Sequence, residues 1–292
     1  MSSLIELYKH VEGILAKMEI PPRPGILDQI FLETRQEEPD FLKLATLISE
    51  DMTLSASLIK TVNSPFFGLQ QRASSVQDAL MLLGLEVASR MVAGILLRHT
   101  FPRRPELDEL WDASLKVALL SHWLGVRLGR SIGLRPADAY TFALFRDCGM
   151  AVMQMRQLDY AHTLTRARAE ARQSFTEVER SALGIDHAMV GSKLASDWRL
   201  SDEMAWGILF HHAIAGADVA TEQAPQASLR LIALAQFADR LLQENGHLAV
   251  DHEWDKLGTR CLEILGLDAG DEAELSEAAG EFILDQLPKM LV

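Results

Sequence analysis

The chain has 292 residues, enough for one large domain or for two smaller ones that share contacts. Apolar residues at 48% and charged residues at 24% exclude a disordered or fibrous protein. Lys plus Arg number 28 against 41 Asp plus Glu, and the resulting charge of −13 argues against non-specific binding to nucleic acid or to an anionic membrane. Two cysteines, Cys148 and Cys261, are too few for a disulfide framework and read as thiols in a reducing compartment. Met1 to Leu7 carries no signal-peptide pattern. The longest apolar runs, such as Met91 to Leu97, fall far short of the roughly 20 residues of a membrane span. A soluble, cytoplasmic protein is expected, with no membrane and no nucleic acid among its partners.

The pattern is helical throughout. Leu4, Ile5, Tyr8, Val11, Ile14, Leu15 and Met18 follow the three-four spacing of an amphipathic helix, which Pro21, Pro22 and Pro24 stop. Leu54, Leu58 and Val62 stack at four-residue spacing behind Thr53 as N-cap, and that helix ends near Asn63-Ser64-Pro65. Ser75-Val-Gln-Asp78 is a capping-box-like start. Pro102 and Pro105 flank a basic turn and mark a boundary. An N-terminal helical lobe is expected over 1–104 and a second helical lobe over 105–292.

In the second lobe the spacing predicts a long helix from about Leu107 to Gly129. Another starts after Pro136 and carries Phe142 to Met155. Ser174-Phe-Thr-Glu177 is a capping box. His187, Val190, Gly191, Leu194, Ala195 and Trp198 share one helix face. Ser201 caps a helix that ends at His211-His212. Helices from Ser228 to Asn245, Trp254 to Leu265 and Glu272 to Leu287 follow. The seven acids between Asp268 and Asp285 read as a solvated face.

No phosphate-cradling glycine loop, nucleophile elbow or CxxC pair is present. What stands out is a set of charged and imidazole side chains inside apolar helices: Asp147 in Phe145-Arg-Asp-Cys-Gly-Met150, His187, His211, His212, and Asp239 in Gln236-Phe-Ala-Asp-Arg240. Such groups are costly to bury unless paired or bound to metal. Imidazole with carboxylate suits a first-row transition ion. In the first lobe, Asn63, Ser64 and Phe67 form a polar and aromatic helix end, open to two readings: a helix stop with inward rings, or a recognition loop facing a groove between the lobes.

Residues 17 to 215 resemble the HDOD family, a bacterial module related to HD-type metal phosphohydrolases. The resemblance rests on Ile20-Pro-Pro-Arg-Pro24, Leu47-Ile-Ser-Glu-Asp51, Val62-Asn-Ser-Pro-Phe-Phe-Gly68, Ser75-Val with Leu83-Gly84, Trp111 with Ser114, Phe145 to Gly149, His187 with Gly191 and Trp198, and His211-His212. It implies an all-α, two-lobed fold with an HDOD-specific N-terminal lobe and an HD-like helical core. It also implies a signalling or regulatory role that works by binding a protein partner or a small ligand.

HD hydrolases hold metal with an early His, an adjacent His-Asp and a late Asp. Here the early position falls at Ala113 or Ser114, and the doublet reads Arg146-Asp147. Only Asp147 and Asp239 match that set. HD-GYP relatives use histidines at places comparable to His187, His211 and His212 for a second metal. Arg146 cannot lose its proton and would repel an ion, or it would pair with Asp147 or Asp239 and serve as the counter-ion. The expectation is no catalysis, no cofactor and no metal, with Asp147, His187, His211, His212 and Asp239 lining a residual pocket. Because adjacent helical residues point about 100° apart, only one of His211 and His212 is expected to face it. The alternative is a metal-dependent phosphohydrolase acting on a nucleotide or cyclic dinucleotide.

Overall fold

The computed structural model describes residues 13–34, 36–64, 71–156, 160–214 and 224–291. Among these every regular element is helical. They form two compact units. One comprises Pro22–Pro102 together with Glu281–Val292, and the other the segment up to Pro21 together with Arg103–Gly280.

The smaller unit is built on α1 (Gly25–Thr34), α2 (Phe41–Ser49), α3 (Met52–Val62), α4 (Val76–Leu83) and α5 (Leu85–Thr100). Asp40 caps α2 by accepting from the backbone N–H of Leu42 and Lys43 at 2.9 and 3.0 Å. Asp51, not Thr53, caps α3, accepting from Leu54 N–H at 2.9 Å. A carboxylate two residues earlier claims that orphan donor and sets the start at Met52. Leu54, Leu58 and Val62 are wholly buried, as their spacing predicts. The Ser75–Asp78 box closes in both directions at the start of α4.

The larger unit opens on a 3-10 turn at Ala16–Met18. It continues with α6 (Pro105–Ile132), α7 (Pro136–Phe145), α8 (Cys148–Arg156), α9 (Tyr160–Ala169), α10 (Phe175–Leu183), α11 (His187–Asp197), α12 (Asp202–Phe210), α13 (Gln226–Glu244) and α14 (Glu253–Leu265). The helix α15 (Ala269–Asp285) starts in this unit and ends in the smaller one, and α16 (Leu287–Leu291) follows. The single helix expected from Pro136 to Met155 is two. It breaks at Arg146-Asp147, which frees both side chains from one helix face and turns them toward the same interior.

Glycine makes the contact that positions this break. A Cβ on Gly149 would stand 2.0 Å from the carbonyl oxygen of His187 and 2.6 Å from the nitrogen of Gly191. The backbones of α8 and α11 therefore touch, with no side chain between them. That crossing carries Asp147, two residues before Gly149, against His187. The stripe predicted on α11 is buried along its whole length, and the Trp198 indole N–H donates to the Pro21 carbonyl at 3.2 Å.

Candidate functional site

The larger unit gathers five of the residues singled out from sequence. Asp147 comes from the break between α7 and α8, His187 opens α11, His211 and His212 follow α12, and Asp239 lies in α13. One ligand atom from each of Asp147, His187, His211 and His212 lies within 4.8 Å of the others. Both adjacent histidines face the cluster, against expectation. The helix ends at Phe210, so the 100° rule does not govern the turn that carries them.

Asp239 is set apart from the imidazoles by Arg146. The guanidinium reaches Asp239 Oδ2 at 2.5 Å and Asp147 Oδ2 at 2.9 Å through Nη2, and Nε donates to the same Asp147 oxygen at 3.0 Å. Nη1 also points to the Ala235 carbonyl at 3.5 Å. Arg146 thus pairs with both aspartates at once. Burial opposes the charge on Asp147. Arg146 first, then a hydrogen bond from His211, outweigh it and hold the carboxyl well below the usual carboxylate range.

The two oxygens of Asp147 are divided. Oδ2 belongs to Arg146, while Oδ1 stands 3.2 Å from His211 Nε2 and 3.6 Å from His187 Nε2. The two imidazole Nε2 atoms are 3.2 Å apart. Each ring is oriented from behind. His187 Nδ1 meets Glu179 Oε2 at 2.7 Å, His211 Nδ1 meets the Ile208 carbonyl at 2.7 Å, and His212 Nδ1 meets Glu253 Oε2. A carbonyl or carboxylate can only accept, so each Nδ1 carries a proton and each ring turns its Nε2 toward the cluster, where a neutral ring offers a lone pair. Carboxylates and carbonyls that bind the rear nitrogen of a ring in this way also orient histidines that hold metal.

Burial shapes the charges further. It opposes a proton on His187, but Glu179, then Asp147 and Asp186, raise the pKa of that ring. Burial, reinforced by His212 and His187, lowers His211 to about 3 despite Asp147. Glu253 is held at about 2, because His212 and Lys256 outweigh its burial. Glu179 also accepts from the Tyr160 hydroxyl at 2.7 Å.

Glu179 and Glu253 were missed in the sequence. Each carried a readable signal. Glu179 stands four residues after Phe175 on the buried face of α10, and Glu253 four before Leu257 in the buried series Leu257, Cys261, Leu265. An acid on such a face demands a partner. In the smaller unit, the Asn63 amide donates to the Ala73 carbonyl and accepts from the Ala73 N–H, both at 2.7 Å. It closes the loop after α3. Ser64 follows it with its N–H on the Thr61 carbonyl at 3.1 Å, and Phe67 lies outside the described residues.

The donor set fits a divalent transition ion: one carboxylate oxygen and three imidazole Nε2 atoms, of which that of His212 is buried with no hydrogen-bond partner. It does not reproduce the HD ligand set, whose doublet histidine is Arg146 here.

Comparison with known proteins agrees with this mixture of likeness and departure. An HDOD domain protein of unknown function from Geobacter sulfurreducens has the same fold, with a TM-score of 0.70 over 96% of this chain and 98% of that one at 23% identity. An uncharacterized protein of Treponema pallidum is 25% identical over 77% of this chain and 42% of its own length. The cyclic di-GMP phosphodiesterase CdgJ of Vibrio cholerae is 28% identical over 36% of this chain and 24% of its own. The chain therefore spans less than half the length of these curated relatives. The HDOD domain itself matches residues 20–214, which run from the proline-rich entry of the smaller unit to just past the paired histidines. A chain matched over two-thirds of its length, and folded as that family folds, belongs to the HDOD domain family.

Proposed function

We propose that this chain is a regulatory module of bacterial signal transduction that acts by binding a protein partner and does not hydrolyse phosphate esters. The observation that carries the reading is Arg146. It takes the position of the doublet histidine and locks Asp147 and Asp239, the two acids retained from the HD set, into one buried ion pair. The interior is also closed. His187 and His211 are fully buried and His212 is 7% exposed, so the imidazoles present little surface to a phosphodiester.

Support for a protein partner comes from the smaller unit. Leu32, Leu42, Met52 and Met81 are exposed by 59–84%, and Phe41 by 40%. They lie on α1 to α4, and they are the apolar surface that a protein partner would cover.

A second reading is metal-dependent phosphodiester hydrolysis, favoured by the convergence of Asp147, His187, His211 and His212. Those four side chains would hold the ion, which when bound supplies an activated water. Glu179 and Glu253 would fix the imidazoles.

Affinity capture from the native cytoplasm, followed by saturable binding between purified components, tests the first reading. The double variant Leu42→Ser/Met52→Ser is expected to lose the captured protein while keeping wild-type stability. Turnover of a cyclic dinucleotide by the purified, manganese-loaded chain would replace this reading with the second.

A further inference from the structure

The geometry points to a closed, four-coordinate site for one zinc-class divalent ion, held by Asp147 Oδ1 and the Nε2 atoms of His187, His211 and His212, with structural rather than hydrolytic purpose. The inference does not depend on the partner-binding reading, and it departs from the expectation that no metal is held.

The donor spacing comes first. Ligands about 2.0–2.1 Å from a tetrahedral zinc stand about 3.3 Å from one another. The three measured separations among Asp147 Oδ1, His187 Nε2 and His211 Nε2 are 3.2, 3.2 and 3.6 Å. Protons on the imidazoles bridge the 3.2 Å contacts in the absence of an ion, and the same spacing accommodates an ion in their place.

Next comes what remains unsatisfied. With each Nδ1 proton committed to Glu179, Ile208 or Glu253, the forward face holds three Nε2 atoms and an anionic oxygen, and each Nε2 that releases its proton offers a lone pair to an ion. A proton placed between His187 and His211 would satisfy that pair alone. His212 Nε2 would still be buried without a partner, as it is in this structure. A buried imidazole nitrogen left without a partner is destabilising. A cation at the centre satisfies all four groups together.

Charge is the third argument. The carboxylates bonded to the imidazoles or to Arg146 are Asp147, Asp239, Glu179 and Glu253. The cations paired with them are Arg146 and Lys256. With neutral imidazoles this leaves two negative charges, which a divalent ion neutralises. Arg146 does not oppose the ion as the sequence suggests, because its guanidinium lies on Oδ2, the far oxygen of Asp147. It acts as an outer partner that fixes the carboxylate. Four protein donors and a buried surround leave no open position, which is the mark of a structural site.

The test is metal binding itself. Chelator-stripped chain is dialysed to equilibrium against Zn2+, and retained metal is measured by elemental analysis. One zinc per chain is expected. Asp147→Asn and His212→Gln are each expected to weaken retention at least about 10-fold, and the outer variant Glu253→Gln by about 10-fold. His252→Gln, which removes an exposed imidazole paired with Asp255, should change nothing. Loading with Co2+ should give the intense visible absorption of a four-coordinate ion. Circular dichroism checks that each variant is folded. If Asp147→Asn or His212→Gln does not fold, Glu253→Gln and the wild-type cobalt spectrum decide. No stoichiometric zinc on the folded wild type, retention unchanged in the folded site variants, or a weak six-coordinate cobalt spectrum would overturn the assignment.

Discussion

Arg146 does at one position what HD hydrolases do with a histidine and an ion. A guanidinium is planar, permanently charged and able to address two carboxylates at once, and here, itself buried, it bridges Asp147 and Asp239. Its removal strands both anions. Arg146→Ala is therefore expected to cost about 3–5 kcal/mol, read as a lower urea midpoint. Adding Asp239→Asn should recover part of that loss, because one of the stranded charges is gone. The acids and imidazoles of the site were legible in the sequence because a charged group in an apolar helix is conspicuous. Glu179 and Glu253 were easier to overlook, because each has another acid two residues away, Glu177 and Asp255, in a helical first turn where acids are ordinary.

At the scale of elements, two features are decisive. The first is the glycine crossing of α8 on α11. Gly149→Ala would drive a methyl group into the His187 carbonyl. It should destabilise the larger unit by at least about 2 kcal/mol and displace Asp147 from the imidazoles. Calorimetry measures the first effect, and loss of zinc retention measures the second. The second feature is the capping box of α4. Ser75→Ala should cost about 1 kcal/mol. The Ser74 hydroxyl and backbone N–H, together with Ser75, hold Asp78 below its ordinary pKa. Its folded value thus lies below its unfolded one. The stability it lends is present above the unfolded pKa and is lost as pH falls through the folded pKa. An Asp78→Asn variant should flatten that acid-side loss in a series of unfolding curves. Both boxes were readable as four-residue strings because they are local. The break at Arg146-Asp147 was not, since no Pro or Gly interrupts the apolar pattern from Pro136 to Asp147.

At the scale of the molecule, the smaller unit draws on two segments far apart in the sequence: Pro22–Pro102 and Glu281–Val292. Phe282, Ile283 and Leu287 in the latter are buried. Deleting residues 281–292 is expected to raise hydrogen exchange across α1 to α5 while leaving α11 to α13 protected. Equal loss of protection in both units would show that they unfold as one. No helix among the described residues is long and apolar enough to cross a membrane, consistent with the absence of any long apolar run.

The sequence by itself determined the all-helical class, the caps, the buried stripes and the HDOD resemblance, because each depends on periodicity or on short strings whose physics is local. It also exposed Arg146 in place of a ligand histidine. Only the tertiary structure decided that this arginine sits behind one oxygen of Asp147 and leaves the other to three imidazoles. That outcome depends on a backbone contact between α8 and α11 and on a helix that stops one residue before His211, and neither is encoded in the spacing of the residues that meet.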